Sequence, residues 1–265
     1  MRIARFIDTQ QRTQQGLKHD DGRVTRLAGD LFGELCDTGE PADVTRLLSP
    51  VQPTAILCIG LNYRQHAEET GAALPDYPVL FMKNPAALNH PGAPIRLPPS
   101  CMEPPQVDYE VELAVVIGRA ARDVPQADAL DYVFGYTVGN DVSARWWQKH
   151  GCGGQWIRGK SFDTFCPLGP ELVTADEIPD PQDLDLSCVL NGELMQTGNT
   201  SDMLFPVSRL IECLSDGTTL LPGTVILTGT PPGVGAARTP PVFLKPGDRL
   251  ELTVEKIGTL VNPVL

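Results

Sequence analysis

Apolar residues in this chain fall in short runs bounded by glycine or proline. That is the trace left by β-strands joined by turns, with few helices between them. Residues 54–60 form a continuous apolar run closed by Gly60, and residues 77–83, 223–230 and 249–255 read as further strands. Residues 108–117 alternate more tellingly. Successive strand side chains point to opposite faces, which puts Val111, Leu113, Val115 and Ile117 on one side and Glu110, Glu112, Ala114 and Val116 on the other. Residues 135–141 read as a strand whose Asp141 face also carries Gly135, Thr137 and Gly139. Such small residues leave room for a ligand, although glycine within a strand also marks bulges. Residues 184–190 and 193–196 flank Asn191-Gly192, the strongest short hairpin signal. Helices are predicted over 61–71 with Gly71 as the stop, over 126–132, over 142–151 with Asp141 or Ser143 as cap, and over 203–214 beginning near Pro206. Ahead of these, residues 2–8 and 23–27 are strand-like, residues 41–48 read as a short helix, and a Pro/Ser break follows at 49–53.

The fold class this predicts is a β-rich α+β protein, with a small N-terminal α/β unit over residues 1–50 and a larger unit over 51–265. Twenty-five glycines and 25 prolines are spread along the chain, so turns divide the strands without a separate linker. A composition 42% hydrophobic and 20% charged is that of an ordinary globular protein. The net charge of −12 argues against a nucleic-acid surface and means that an anionic substrate needs a local cation. No apolar run approaches the ~18 residues of a membrane span. The first residues lack a signal-peptide pattern, and the seven cysteines are odd in number, with no C-x-x-C pair. A cytoplasmic protein with reduced thiols is expected.

Candidate chemistry centres on Glu110, Glu112 and Asp141. Two carboxylates side by side on a half-buried face need a proton or a cation between them. Three carboxylates without a nearby His or Cys pair suit Mg²⁺ or Mn²⁺ better than zinc, while a solvated face and a helix cap would account for the same residues. His66 and Glu69 lie three apart, so on a helix the carboxylate can orient the imidazole. Arg145 and Gln148 share a face one turn beyond Asp141 and suit a substrate carboxylate, or else an exposed amphipathic turn. Residues 154–161 satisfy the phosphate-loop pattern G-x-x-x-x-G-K-[ST], but no apolar strand precedes them and Pro167 stops a following helix. Nucleotide binding is therefore not expected, and Lys160 remains as a cation for an oxyanion. The turn 230–235 exposes backbone N–H groups and Thr230, suited to an anion or simply to a tight turn.

Six blocks in this order resemble the fumarylacetoacetate hydrolase superfamily: residues 60–69, 108–113, 139–145, 159–163, 189–193 and 227–231. The resemblance implies a mixed β-sandwich roll, usually a homodimer, with Mg²⁺ or Mn²⁺ held by Glu110, Glu112 and Asp141. It implies catalytic roles for His66, Glu69 and Lys160, and substrate contacts from Arg145, Gln148 and Thr230. The implied activity is metal-dependent hydrolysis of a C–C bond in a small 2-oxo acid of the acylpyruvate or fumarylpyruvate kind, through a metal-stabilised enolate. Oxaloacetate decarboxylation, or isomerisation or tautomerisation of a 2-hydroxydienoate, would use the same site. One departure is Trp146, where relatives often carry an acidic residue.

Overall fold

A computed structural model describes residues 1–265. The chain starts with β1 (Arg2–Ile7), β2 (Thr13–Lys18), β3 (Val24–Gly29), β4 (Leu35–Pro41) and β5 (Arg46–Leu48). It continues through β6 (Ala55–Gly60), α1 (Arg64–Thr70), β7 (Val79–Lys83), β8 (Leu88–Asn89), β9 (Val107–Asp108) and β10 (Val111–Ile117). Then come β11 (Val133–Asn140), β12 (Ser143–Ala144), α2 (Arg145–Lys149), α3 (Ile157–Lys160) and β13 (Cys166–Thr174). The last elements are β14 (Asp185–Leu190), β15 (Glu193–Asn199), α4 (Val207–Ser215), β16 (Thr224–Leu227), β17 (Arg249–Val254) and β18 (Gly258–Pro263).

One large sheet runs β4-β3-β2-β1-β13-β11-β10-β16-β6-β7, with β5 on β1 and β8 on β13. It is mixed, because β16 pairs with β6 and β13 with β8 in parallel while its other pairs are antiparallel. A second sheet, β15-β14-β17-β18, packs against β10, β11 and β13, so a β-sandwich is what the chain builds. The alternation along β10 explains the packing. Val111, Leu113, Val115 and Ile117 enter the main core with Leu186, Cys188, Leu250 and Leu252 of the second sheet, while Ala114 and Val116 enter a smaller core on the opposite face. A slip of one residue would exchange the two faces, so burial on both sides holds the register. In α4, Val207, Leu210, Ile211 and Leu214 are buried at the spacing of one helical face.

Several local expectations change. Residues 41–48 are not a helix: Pro41 ends β4, and residues 46–48 pair with β1, so the N-terminal unit is all β and extends the large sheet. The helix expected over 142–151 is only α2, with Ala144 at its N-cap and no side-chain cap. The Ser143 hydroxyl donates to the Asp141 carbonyl instead. Residues 126–132 form a 3₁₀ helix. β13 is a strand the sequence pattern does not announce, since Pro167 and Pro170 interrupt it. Its ladder to β11 is irregular at Pro170, which relieves the demand for that missing N–H, and Pro167 lies beyond this ladder, opposite Asn89 of β8. Asn191 and Gly192 both have positive φ, as the two-residue hairpin between β14 and β15 requires. The seven cysteines are free thiols, and no helix is long and apolar enough to cross a membrane.

Candidate active site

The site forms where three neighbouring strands end together. Pairing of β10 with β11 sets Val111 opposite Asn140 and Glu112 opposite Gly139, and the Asp141 N–H donates to the Glu110 carbonyl at 3.0 Å. β16 lies on the other side of β10, and beyond its end the Gly229 N–H donates to Glu112 at 2.7 Å. The chain leaves regular strand at Tyr109 and Glu110, and side chains take over the ladder there. Asn140 accepts from the Glu110 N–H at 3.1 Å and Gln196 from the Val111 N–H at 2.9 Å. Carboxylate oxygens of Glu110, Glu112 and Asp141 consequently lie within 4.8 Å of one another, all buried.

Three cations meet four carboxylates in this cluster. Lys160 bridges Glu110 at 2.8 Å and Asp141 at 2.7 Å. Lys83 holds the other oxygen of Asp141 and donates to the Val142 carbonyl at 3.1 Å. Arg145 reaches Asp108 and Glu110, each at 2.7 Å, and donates to Gln148 at 3.1 Å. Glu112 has no ion pair, only the Gly229 N–H. Burial works against the charge on both glutamates, but Lys160 and Arg145 hold the Glu110 carboxyl well below the usual range. At Glu112, burial and then the charges of Asp141 and Glu110 push the carboxyl well above it. Burial alone would lower the Lys160 ammonium, but Asp141 and Glu110 outweigh it and raise its pKa. One carboxylate is thus left over, buried among oxygens and short of a positive charge. A divalent cation that prefers oxygen ligands fits that donor set, and Glu110, Glu112 and Asp141 are the residues able to hold it.

Eight of the nine residues singled out from the sequence line one cavity of about 380 Å³: His66, Glu69, Glu110, Glu112, Arg145, Gln148, Lys160 and Thr230. Asp141, with no exposed surface, stands behind them. His66 and Glu69 come from α1, which Gly71 closes in the left-handed conformation, and His66 Nδ1 lies 3.3 Å from Glu69. Two residues are less free than expected. Arg145 is engaged by Asp108, Glu110 and Gln148. The Thr230 hydroxyl donates to the Val111 carbonyl and accepts from Gln196, so toward a ligand it can act only as an acceptor.

Other expectations are answered by the protein's own groups. The N–H groups of the 230–235 turn take carboxylates of this chain: Gly233 donates to Glu69, and Gly235 donates to Asp108, as does Ala236 just beyond it. Gly135 and Gly139 leave no ligand space, since a Cβ there would meet the Val173 carbonyl at 2.3 Å and Leu227 at 2.5 Å. In the phosphate-loop look-alike, a Cβ on Gly159 would lie 2.4 Å from the Gln148 nitrogen, and Ser161 accepts from the Asn84 N–H. Those residues serve packing. The sequence pattern gives no sign of the parts that Lys83 and Asp108 play here. Lys83 closes the run Val-Leu-Phe-Met, a place where lysine ordinarily meets solvent, yet it is 1% exposed.

Residues 55–265 match the family described as fumarylacetoacetate (FAA) hydrolase C-terminal, and residues 1–50 match Rv2993c-like, N-terminal. The chain is 48% identical over 224 residues to a mitochondrial oxaloacetate tautomerase of Bos taurus, covering 84% of this chain and 70% of that protein. Among solved structures it resembles 5-carboxymethyl-2-hydroxymuconate delta-isomerase from Mycobacterium smegmatis (41% identity, TM-score 0.87). It also resembles fumarylacetoacetate hydrolase from Exiguobacterium antarcticum (38%, TM-score 0.88). Each similarity covers 100% of this chain and 99% of the other. The protein belongs to the fumarylacetoacetate hydrolase family and is an enzyme of that family.

Proposed function

We propose that this enzyme moves a proton on a short 2-oxo acid, converting keto and enol forms of an oxaloacetate-like substrate with the help of a bound Mg²⁺ or Mn²⁺. The observation that carries this reading is the position of the His66–Glu69 pair in the same cavity as the buried carboxylates and Lys160. The bound cation would polarise the C2 oxygen as a Lewis acid. Glu69, fixed by the Gly233 N–H at 2.9 Å, takes the Nδ1–H of His66 and leaves Nε2 to remove or return a proton at C3. Lys160 spends two N–H groups on Glu110 and Asp141, and the third is free for a substrate oxygen. Ile59, Phe81, Trp156 and Val234 supply walls that limit water. The tautomerase and isomerase names of two of these relatives favour proton transfer, while the hydrolase name of the third keeps the C–C hydrolysis expected first from the sequence as the second reading.

Hydrolysis of an acylpyruvate is the second reading, because the same Nε2 could deprotonate a water. Decay of the enol absorbance of oxaloacetate, measured beside pyruvate release from acylpyruvates, separates the two. Enol decay accelerated by Mg²⁺, abolished by EDTA and lowered about 10²-fold or more in His66→Ala is expected. Metal-dependent pyruvate release from acylpyruvates alone would move the assignment to hydrolysis, and silence in both assays would overturn both.

A homodimer is part of the same proposal. β7 is one of the two end strands of the large sheet and leaves Leu80 and Met82 exposed, and an unpaired edge of this kind invites a second chain. Light scattering should give the mass of two chains, and that of one chain for Leu80→Lys. A monomeric parent would remove the dimer from the proposal.

A further inference from the structure

We propose that Trp156, seated on Gly60, sets the largest group that the substrate can carry at the end away from its 2-oxo acid. The inference rests on the 2-oxo-acid reading above and concerns the opposite side of the same cavity. Trp156 is the N-cap residue of α3 and Lys160 its last residue. A spacing of four on one helical turn brings both side chains to one face, and both line the cavity. A single short helix therefore presents the ammonium that faces the reacting end and the indole that faces the other.

The indole is held from two sides. A Cβ on Gly60, the last residue of β6, would lie 2.3 Å from Trp156 Cζ3 and 2.9 Å from Cη2, so only glycine allows the ring to settle against that strand. The Phe81 ring lies with its centroid 5.3 Å away at 60°, and Lys160 Nζ sits 5.0 Å from the same Phe81 centroid. Lys160, Phe81 and Trp156 thus form a continuous row, in which the distance from the ammonium to the indole is fixed by one phenyl ring. The length left for substrate along that row is set by packing, and the wall at its far end is a large rigid ring with two torsions. The motif that imitated a phosphate loop has its Trp at a position no phosphate loop would want, and this seat is what that Trp fills.

The test compares Trp156→Ala and Gly60→Ala with the parent, using kcat/KM and Mg²⁺-dependent calorimetric affinity for oxaloacetate and for acylpyruvates of rising acyl size. Removing the indole should raise the preference for the largest acyl group over oxaloacetate about tenfold or more. Adding a methyl to Gly60 should push the ring into the cavity and lower that preference, and Trp156→Phe should keep the parent's order. A ratio of two substrates is insensitive to how much of a variant is folded, so a purely structural role would leave it unchanged. Unchanged ratios in both variants, with parent binding intact, would overturn this proposal alone. Absence of any 2-oxo acid binding by the parent would overturn the functional reading, and this inference with it.

Discussion

Glu110 and Glu112 are two residues apart, chemically identical and both buried, yet their neighbours drive their carboxyl groups in opposite directions. Lys160 and Arg145 keep Glu110 ionised, whereas Glu112 meets two anions and one backbone N–H. This asymmetry leaves one ligand position needing a cation. Lys83 carries a comparable burden, because Asp141 has no exposed surface and depends on two ammonium groups. Lys83→Ala should lower stability by about 3–5 kcal/mol, since it strands part of a buried charge. Urea unfolding measures this, and a loss below about 1 kcal/mol would mean that Lys160 suffices alone. The residue types at the site were legible in the chain, because two glutamates on one strand face with a later aspartate stand out, although the spacing alone also suited a solvated face. Lys83 and Asp108 were not, because their partners are 58 and 37 residues away.

At the scale of elements, α1 carries the His66–Glu69 pair and has only seven residues, too few to be stable alone. Asn62 anchors its start. Its amide donates to the carbonyls of Phe205 at 3.1 Å and Thr228 at 2.7 Å, and its oxygen accepts from the Phe205 N–H at 2.9 Å. Asn62→Ala should leave buried backbone groups unpaired, at about 1–3 kcal/mol for each. A lower melting temperature together with faster proteolysis inside α1 is expected, and an unaltered cleavage pattern would show that other contacts hold the helix. Gly71 marked the end of this helix in the sequence, because a left-handed C-cap favours glycine. The helix expected over residues 41–48 fails, and β13 carries no clear signal, for the opposite reason. Their apolar patterns are weak or broken by proline, and strand pairing with distant segments decides their conformation.

Across the whole molecule, the N-terminal strands join the large sheet through β1 and β13, and His90 helps to fasten that junction. Its Nδ1 accepts from the Ser49 N–H at 3.1 Å, and burial, followed by Arg46 and Arg5, pushes its pKa below the usual 6.5. The unfolded chain therefore binds a proton at His90 more readily than the folded one. Its contribution is complete above the unfolded value and is lost as pH falls through the folded one. Urea midpoints should decline between about pH 7 and 5, and His90→Asn, which keeps an acceptor, should flatten that decline. An equal slope in both proteins would assign the effect to other groups.

The sequence by itself determined the strand-rich class, the two faces of β10, the hairpin at Asn191-Gly192 and the residue types of the site, because these follow from side-chain periodicity and local backbone preference. Only the tertiary structure decided which cation sits on which carboxylate, that Glu112 is the one left without an ion pair, and that Trp156 lines the cavity. Those outcomes depend on distances between segments far apart in the chain, which periodicity does not encode.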